Sequence, residues 1–116
     1  MQRFEELQLE DGTVLKDTMP IEKWLYASPF SWLLVCELDA VKLAVKDGIL
    51  YWKSGVLYWG NTEWMVFESG EFRSGTWNGG IFLNGSFKGV WKNGVFKDGK
   101  FEGEKIAGEF PEEKIT

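Results

Sequence analysis

The sequence predicts an all-β fold, a short-period repeat wound as a right-handed square β-helix of about three coils beneath an N-terminal mixed α/β cap. Three observations carry this expectation. From residue 51 the chain falls into units of five, YWKSG, VLYWG, NTEWM, VFESG, EFRSG, TWNGG, IFLNG, SFKG, VWKNG, VFKDG, KFEGE and KIAGE, with SFKG alone one residue short. The second position of the units holds Trp52, Leu57, Thr62, Phe67, Phe72, Trp77, Phe82, Phe87, Trp91, Phe96, Phe101 and Ile106, and eleven of the twelve are large and apolar. Two residues before each of these stands Gly in nine units, from Gly55 to Gly99. Such regularity separates a repeat from a disordered Gly-rich segment.

Residues 1–47 form the expected cap. Leu7-Gln-Leu-Glu10 and Thr13-Val-Leu-Lys16 alternate about Asp11-Gly12, the pattern of a hairpin. Pro20 suits the first turn of a short helix over Ile21 to Ala27, with Thr18 or Met19 near its cap and Ser28-Pro29 as its end. Ser31 to Leu38 reads equally as helix or strand. Val41, Leu43 and Val45 alternate with Lys42, Ala44 and Lys46 as in a strand, and Asp47-Gly48 turns it into Ile49-Leu-Tyr-Trp52. Residues 48–110 are the repeat, stopped by Phe110-Pro111, and 111–116 a tail, all in one domain.

Two backbones compete for the repeat. Asn84-Gly85, Asn93-Gly94 and Asp98-Gly99 are hairpin-turn pairs and suggest an antiparallel meander. Backbone N–H and C=O groups alternate between left and right neighbours along a strand. A strand with a two-residue turn at both ends then needs an even number of residues, and a period of five leaves three. A β-helix removes the conflict, because each unit bonds to the coils above and below. With four sides of five residues, Trp52, Phe72 and Trp91 stack in one column. Leu57, Trp77 and Phe96 form a second, Thr62, Phe82 and Phe101 a third, and Phe67, Phe87 and Ile106 a fourth. In this reading Gly clears space beside each ring.

Over residues 51–109 the chain resembles the pentapeptide-repeat family, which sets a small residue two before a central Leu or Phe. Gly stands here where that family usually has Ala, and Trp enters the central positions. The units are also similar to Gly/aromatic tandem repeats of tailed-phage and bacterial proteins. Gly89-Val-Trp91-Lys-Asn93-Gly94 resembles one unit of a MORN repeat, which implies the meander alternative and a membrane- or protein-binding hairpin array.

Charge narrows the partners. Lys and Arg number 13 against 18 Asp and Glu, a net charge of −5. The acids cluster toward the two ends, and residues 66–103 are close to neutral. That argues against a nucleic-acid footprint and against the DNA mimicry that the pentapeptide-repeat resemblance implies. Cys36 is the only cysteine, which rules out an intrachain disulfide and favours a reducing compartment. The start lacks the apolar run of a secretion signal, and no apolar stretch approaches the roughly 18 residues of a membrane span. The expectation is a cytoplasmic protein without a membrane partner, in the host cytoplasm if a phage encodes it.

No catalytic constellation is legible, and no enzyme, cofactor or metal is expected. The chain has no histidine and no Gly-Lys-Ser or Gly-Lys-Thr phosphate loop. Cys36 sits among Leu34, Val35 and Leu38 as a structural thiol, and Glu5-Glu6 and Glu112-Glu113 read as solvated surface. Two surface features remain. Tyr51, Tyr58, Trp59 and Trp64 fall outside the inward columns and make a candidate partner face, unless the aromatic-rich residues 20–45 fold over them. Lys53, Arg73 and Lys92 each follow an inward residue of one column and would stack about 4.8 Å apart as a candidate anion ladder, or else form a solvated face. The expected function is a non-catalytic protein-interaction module, of the kind a phage encodes to bind and modulate a host or virion protein. The alternatives are a self-associating scaffold or virion component, with homo-oligomers through open β edges, and a small-ligand or nucleotide sponge.

Overall fold

The computed structural model describes residues 3–111. The expected tail, from residue 112 on, and the pair Glu112-Glu113 lie outside the described residues. In the cap, strands β1 (Phe4–Gln8) and β2 (Val14–Lys16) pair antiparallel about the Asp11-Gly12 turn, with Leu7 opposite Leu15. Helix α1 spans Thr18–Tyr26 with Pro20 in its first turn. The Thr18 hydroxyl accepts from Phe4 N at 3.0 Å, tying the helix start to β1. Ser28 ends the helix: its hydroxyl donates to Leu25 O at 2.8 Å and accepts from Phe30 N at 3.0 Å. The segment open between helix and strand is both in turn, a 3-10 helix over Ser31–Val35 and then strand β3 (Glu37–Lys46). Asp47 and Gly48 take φ of 53° and 74°, the type I′ geometry that joins two antiparallel strands, and lead into β4 (Ile49–Thr62).

From β4 onward the backbone winds as a β-solenoid of about four turns. The first turn is β4 itself. The next comprises β5 (Met65–Phe67), β6 (Glu71–Phe72) and β7 (Gly75–Trp77). Strands β8 (Gly80–Phe82), β9 (Ser86–Phe87) and β10 (Val90–Trp91) make the third. The last holds β11 (Val95–Phe96), β12 (Lys100–Phe101) and β13 (Glu104–Lys105). Successive turns pair in parallel, so the antiparallel meander is set aside.

The coil is three-sided, not the expected square. On the first side Tyr51 pairs with Val66, Val66 with Ile81 and Ile81 with Val95. The second side runs Val56, Glu71, Ser86, Lys100, and the third Asn61, Thr76, Val90, Glu104. A turn therefore takes three units, and one residue fewer wherever it contains SFKG or Lys100–Gly103. The latter is a second four-residue unit that the sequence division hides. It shifts the register of the end, so Lys105 pairs opposite Trp91 and the expected inward Ile106 is 61 % exposed.

The interior explains the triangle. The columns are Trp52, Phe67, Phe82 and Phe96; Leu57, Phe72, Phe87 and Phe101; and Thr62, Trp77 and Trp91. Rings stack along each column, Phe67 on Phe82 at 4.6 Å, Phe72 on Phe87 at 4.5 Å and Trp77 on Trp91 at 4.8 Å between centroids. Between columns they meet edge to face, as Trp77 does Phe82 at 5.8 Å and Phe82 does Phe87 at 5.9 Å. In the third turn Phe82, Phe87 and Trp91 all touch one another; four rings at the corners of a square would leave their centre unfilled, against close packing. Phe110 closes the far end, stacked on Phe96 at 5.2 Å and edge-on to Trp91 and Phe101.

Glycine acts mainly on backbone rather than rings. Gly75 turns a corner at φ 106°, and a methyl there would overlap the carbonyl oxygen of Gly60 and stand 2.7 Å from its nitrogen. Coils are thus glycine-on-backbone at the corners, which brings them within hydrogen-bond reach. Ring clearance is secondary, as at Gly94, where a methyl would lie 3.0 Å from Trp77 Nε1.

The cap continues the same core. Strand β3 follows β4 around its first corner, where Ala40 takes φ 54° against Gly55. Phe4, Leu7, Ile21, Leu25, Leu33, Val41 and Leu43 join the solenoid rings in one buried cluster. The first side thereby extends into a sheet of order β11-β8-β5-β4-β3-β1-β2. No helix among the described residues is long and apolar enough to cross a membrane.

Candidate functional site

The sequence-derived surface residues divide among the three sides. Tyr51 lies half-buried on the first side, between Ala44 of β3 and Val66 of β5. Tyr58 is on the second side, 38 % exposed, with the Arg73 guanidinium 5.0 Å over its ring. Trp59 stands at the corner between second and third sides, and Trp64 at the corner between third and first, 47 % and 51 % exposed. The four do not make one face. Nor does the cap cover Tyr58, Trp59 and Trp64. Trp59 and Trp64 bracket the third side of the first coil, with Tyr58 beside Trp59 and the exposed Asn61 and Glu63 between the corners.

These rings are peculiar to the first coil. The places of Tyr58 in later coils hold Arg73, Lys88 and Glu102, that of Trp59 holds Ser74, and those of Trp64 hold Gly79, Asn93 and Ala107. Gly79 lies beside the Trp64 indole, and a methyl on it would make an ordinary contact 3.5 Å from Trp64 Cδ1.

The candidate anion ladder does not form. Its square register is absent, so Lys53, Arg73 and Lys92 fall on the first, second and third sides respectively. Lys53 pairs with Glu68 at 3.3 Å, and Arg73 with Glu71 at 2.9 Å. Lys53 and Tyr51 instead share a shallow groove of about 600 Å³ with Gln8, Glu10 and Lys46, whose charges are mixed.

One surface feature escaped the sequence reading. On the outer face of the first side, Tyr51, Val66, Ile81 and Val95 pair in succession as a largely apolar row, with Leu83 39 % exposed beside it. The signal is present in the sequence, since every third unit opens with an aromatic or branched apolar residue. It is visible only once three units are known to make a turn.

Cys36 is 2 % exposed, and its thiol donates to Trp32 O at 3.5 Å. Burial pushes the thiol from 9.0 up to about 11, outweighing the pull of Arg3. At pH 8 only about one thiol in a thousand is then ionised, so an aromatic disulfide reagent should react slowly until denaturant is added. The sign for stability follows from proton binding. The unfolded thiol loses its proton near 9 while the folded one keeps it to about 11. Relative to Cys36→Ala, the wild-type chain should therefore lose stability as pH rises from about 9 to 11 in urea titrations. A flat difference would show the thiol to be hydrated.

Among the described residues no three His, Cys, Asp or Glu side chains cluster as a metal site would require. No protein-family model matches the chain, and neither a curated protein nor a solved structure matches it.

Proposed function

We propose that the protein is a non-catalytic interaction module that anchors a protein partner on the aromatic corners of its first coil. The carrying observation is that Tyr58, Trp59 and Trp64 are exposed there, whereas the matching positions of later coils are polar, charged, glycine or alanine and carry no ring. The repeat itself does not require these rings. Half-exposed Trp and Tyr are the side chains that most often anchor protein partners. The solenoid interior is filled by stacked rings, so recognition has to be external. The lack of histidine and the suppressed thiol support a binding rather than a chemical role.

The test is affinity capture from cell extract followed by titration of the captured protein. Trp59→Ala with Trp64→Ala should weaken binding at least tenfold, about 1.4 kcal/mol or more, with the fold intact. Lys46→Ala with Lys97→Ala, exposed on the first-side sheet and away from those corners, should leave binding unchanged. Equal binding by the double-tryptophan variant removes the reading. Open-ended assembly in sedimentation at rising concentration would replace it with the scaffold role.

A further inference from the structure

At the N-terminal limit of the first-side sheet, β2 pairs with β1 and with no other strand among the described residues. The direction of its free groups follows from the ladder. Leu9 N donates to Thr13 O at 2.7 Å, so in antiparallel alternation Leu7 and Leu15 exchange hydrogen bonds. The N–H and C=O of Val14 and Lys16 then point away from β1, along an exposed edge. Beside that edge lies an open apolar notch of about 550 Å³ between β2 and the end of α1, lined by Leu15, Pro20, Trp24, Ala27 and Pro29, with Lys23 at its rim.

We infer that β2 and this notch form a second docking site, separate from the aromatic corners, for an extended acidic-apolar peptide segment of a partner protein. A strand added to β2 takes the four outward backbone groups as its ladder. Residues directly opposite one another share a face, so the partner residue facing Leu15 projects into the notch and must be apolar. Its sequence neighbours project to the other face, where Lys16 is exposed. Lys16 holds Glu6 at 2.8 Å with much of its ammonium still in water, and Lys23 has no ion pair among the described residues. The exposed cation on that face suits acidic residues flanking a Leu or Val, and Lys23 adds a second positive charge at the notch rim. The opposite end of the solenoid differs: Phe110 and the Glu109–Val95 bridge close it, and its edge strands are two residues long.

The experiment titrates the full chain with the capped peptide Glu-Val-Glu-Leu-Glu-Val-Glu and follows amide exchange by NMR. Binding should slow exchange of the Val14 and Lys16 amides. Val14→Pro removes an outward N–H without touching a bond to β1 and should weaken binding at least tenfold. Ala27→Glu, at an exposed position, places like charge in the notch and should do the same. The Lys-for-Glu version of the peptide should not bind. Absence of binding by the acidic peptide, undiminished binding by both variants, or protection confined to other strands overturns the proposal. Dimerisation through β2 in sedimentation does so too, since it makes a second copy the occupant.

Discussion

Gly75→Ala is expected to destabilise the protein by about 3–5 kcal/mol, a large part of the roughly 5–15 kcal/mol that holds a domain folded. Two costs combine. The backbone sits at φ 106°, which a side chain tolerates poorly, by about 1 kcal/mol or more. The added methyl also overlaps the Gly60 carbonyl oxygen and lies 2.8 Å from its carbonyl carbon. Neither neighbour can rotate away, because both are backbone in the adjacent turn. Gly12→Ala separates the two costs. Gly12 takes φ 92° with open space around it, so only the conformational cost of about 1 kcal/mol applies. Urea midpoints of the two variants against wild type give the comparison. Equal losses would mean that the coils do not rest on one another at this corner.

Phe82→Ala should cost about 3–5 kcal/mol. Its ring is fully buried, stacked between Phe67 at 4.6 Å and Phe96 at 5.0 Å, and meets Trp77 and Trp91 edge-on. Removing it opens a cavity that its stacked neighbours cannot fill, because hydrogen bonds between turns fix their spacing. Leu83 N donates to Phe67 O and Lys97 N to Phe82 O, both at 2.8 Å. Trp77→Phe should be far milder, about 1 kcal/mol, although Trp77 is as deeply buried. Its indole N–H is buried without an acceptor among the described residues, so the exchange also removes an unsatisfied donor. Calorimetric or urea unfolding of the three chains checks the order. A Phe82→Ala loss no larger than that of Trp77→Phe would place the ring outside a close-packed column.

The beat of five, the inward second position and the solenoid class were legible because each follows from residue type alone. Closure was not. A unit of five states how long a side is, while the number of sides depends on how many rings fill the bore, and that is a packing property of the assembled coil. The columns and the ladder of Lys53, Arg73 and Lys92 rested on a fourth side and dispersed together, whereas Tyr51, Tyr58, Trp59 and Trp64 fall outside the inward columns in either winding and are spread because they belong to successive units of one turn. The hidden unit Lys100–Gly103 shows a second limit. Its Phe101 and Gly103 fit either division of the sequence, and only pairing of Lys105 with Trp91 decides between them. In the cap, local signals sufficed for the two hairpins and the helix. The 3-10 turn at Ser31–Val35 has no period of its own and is set by Leu33 and Cys36 packing on the solenoid.

The three-sided winding is open to a direct distance measurement. In a Cys36→Ala background, spin labels at Lys53→Cys and Glu68→Cys occupy adjacent turns of one side, whereas labels at Lys53→Cys and Arg73→Cys occupy different sides. Dipolar broadening should be strong for the first pair, at a backbone spacing of about 4.8 Å, and absent or weak for the second. Strong broadening for residues 53 and 73 with none for 53 and 68 would restore a four-sided coil and dissolve the surfaces assigned above.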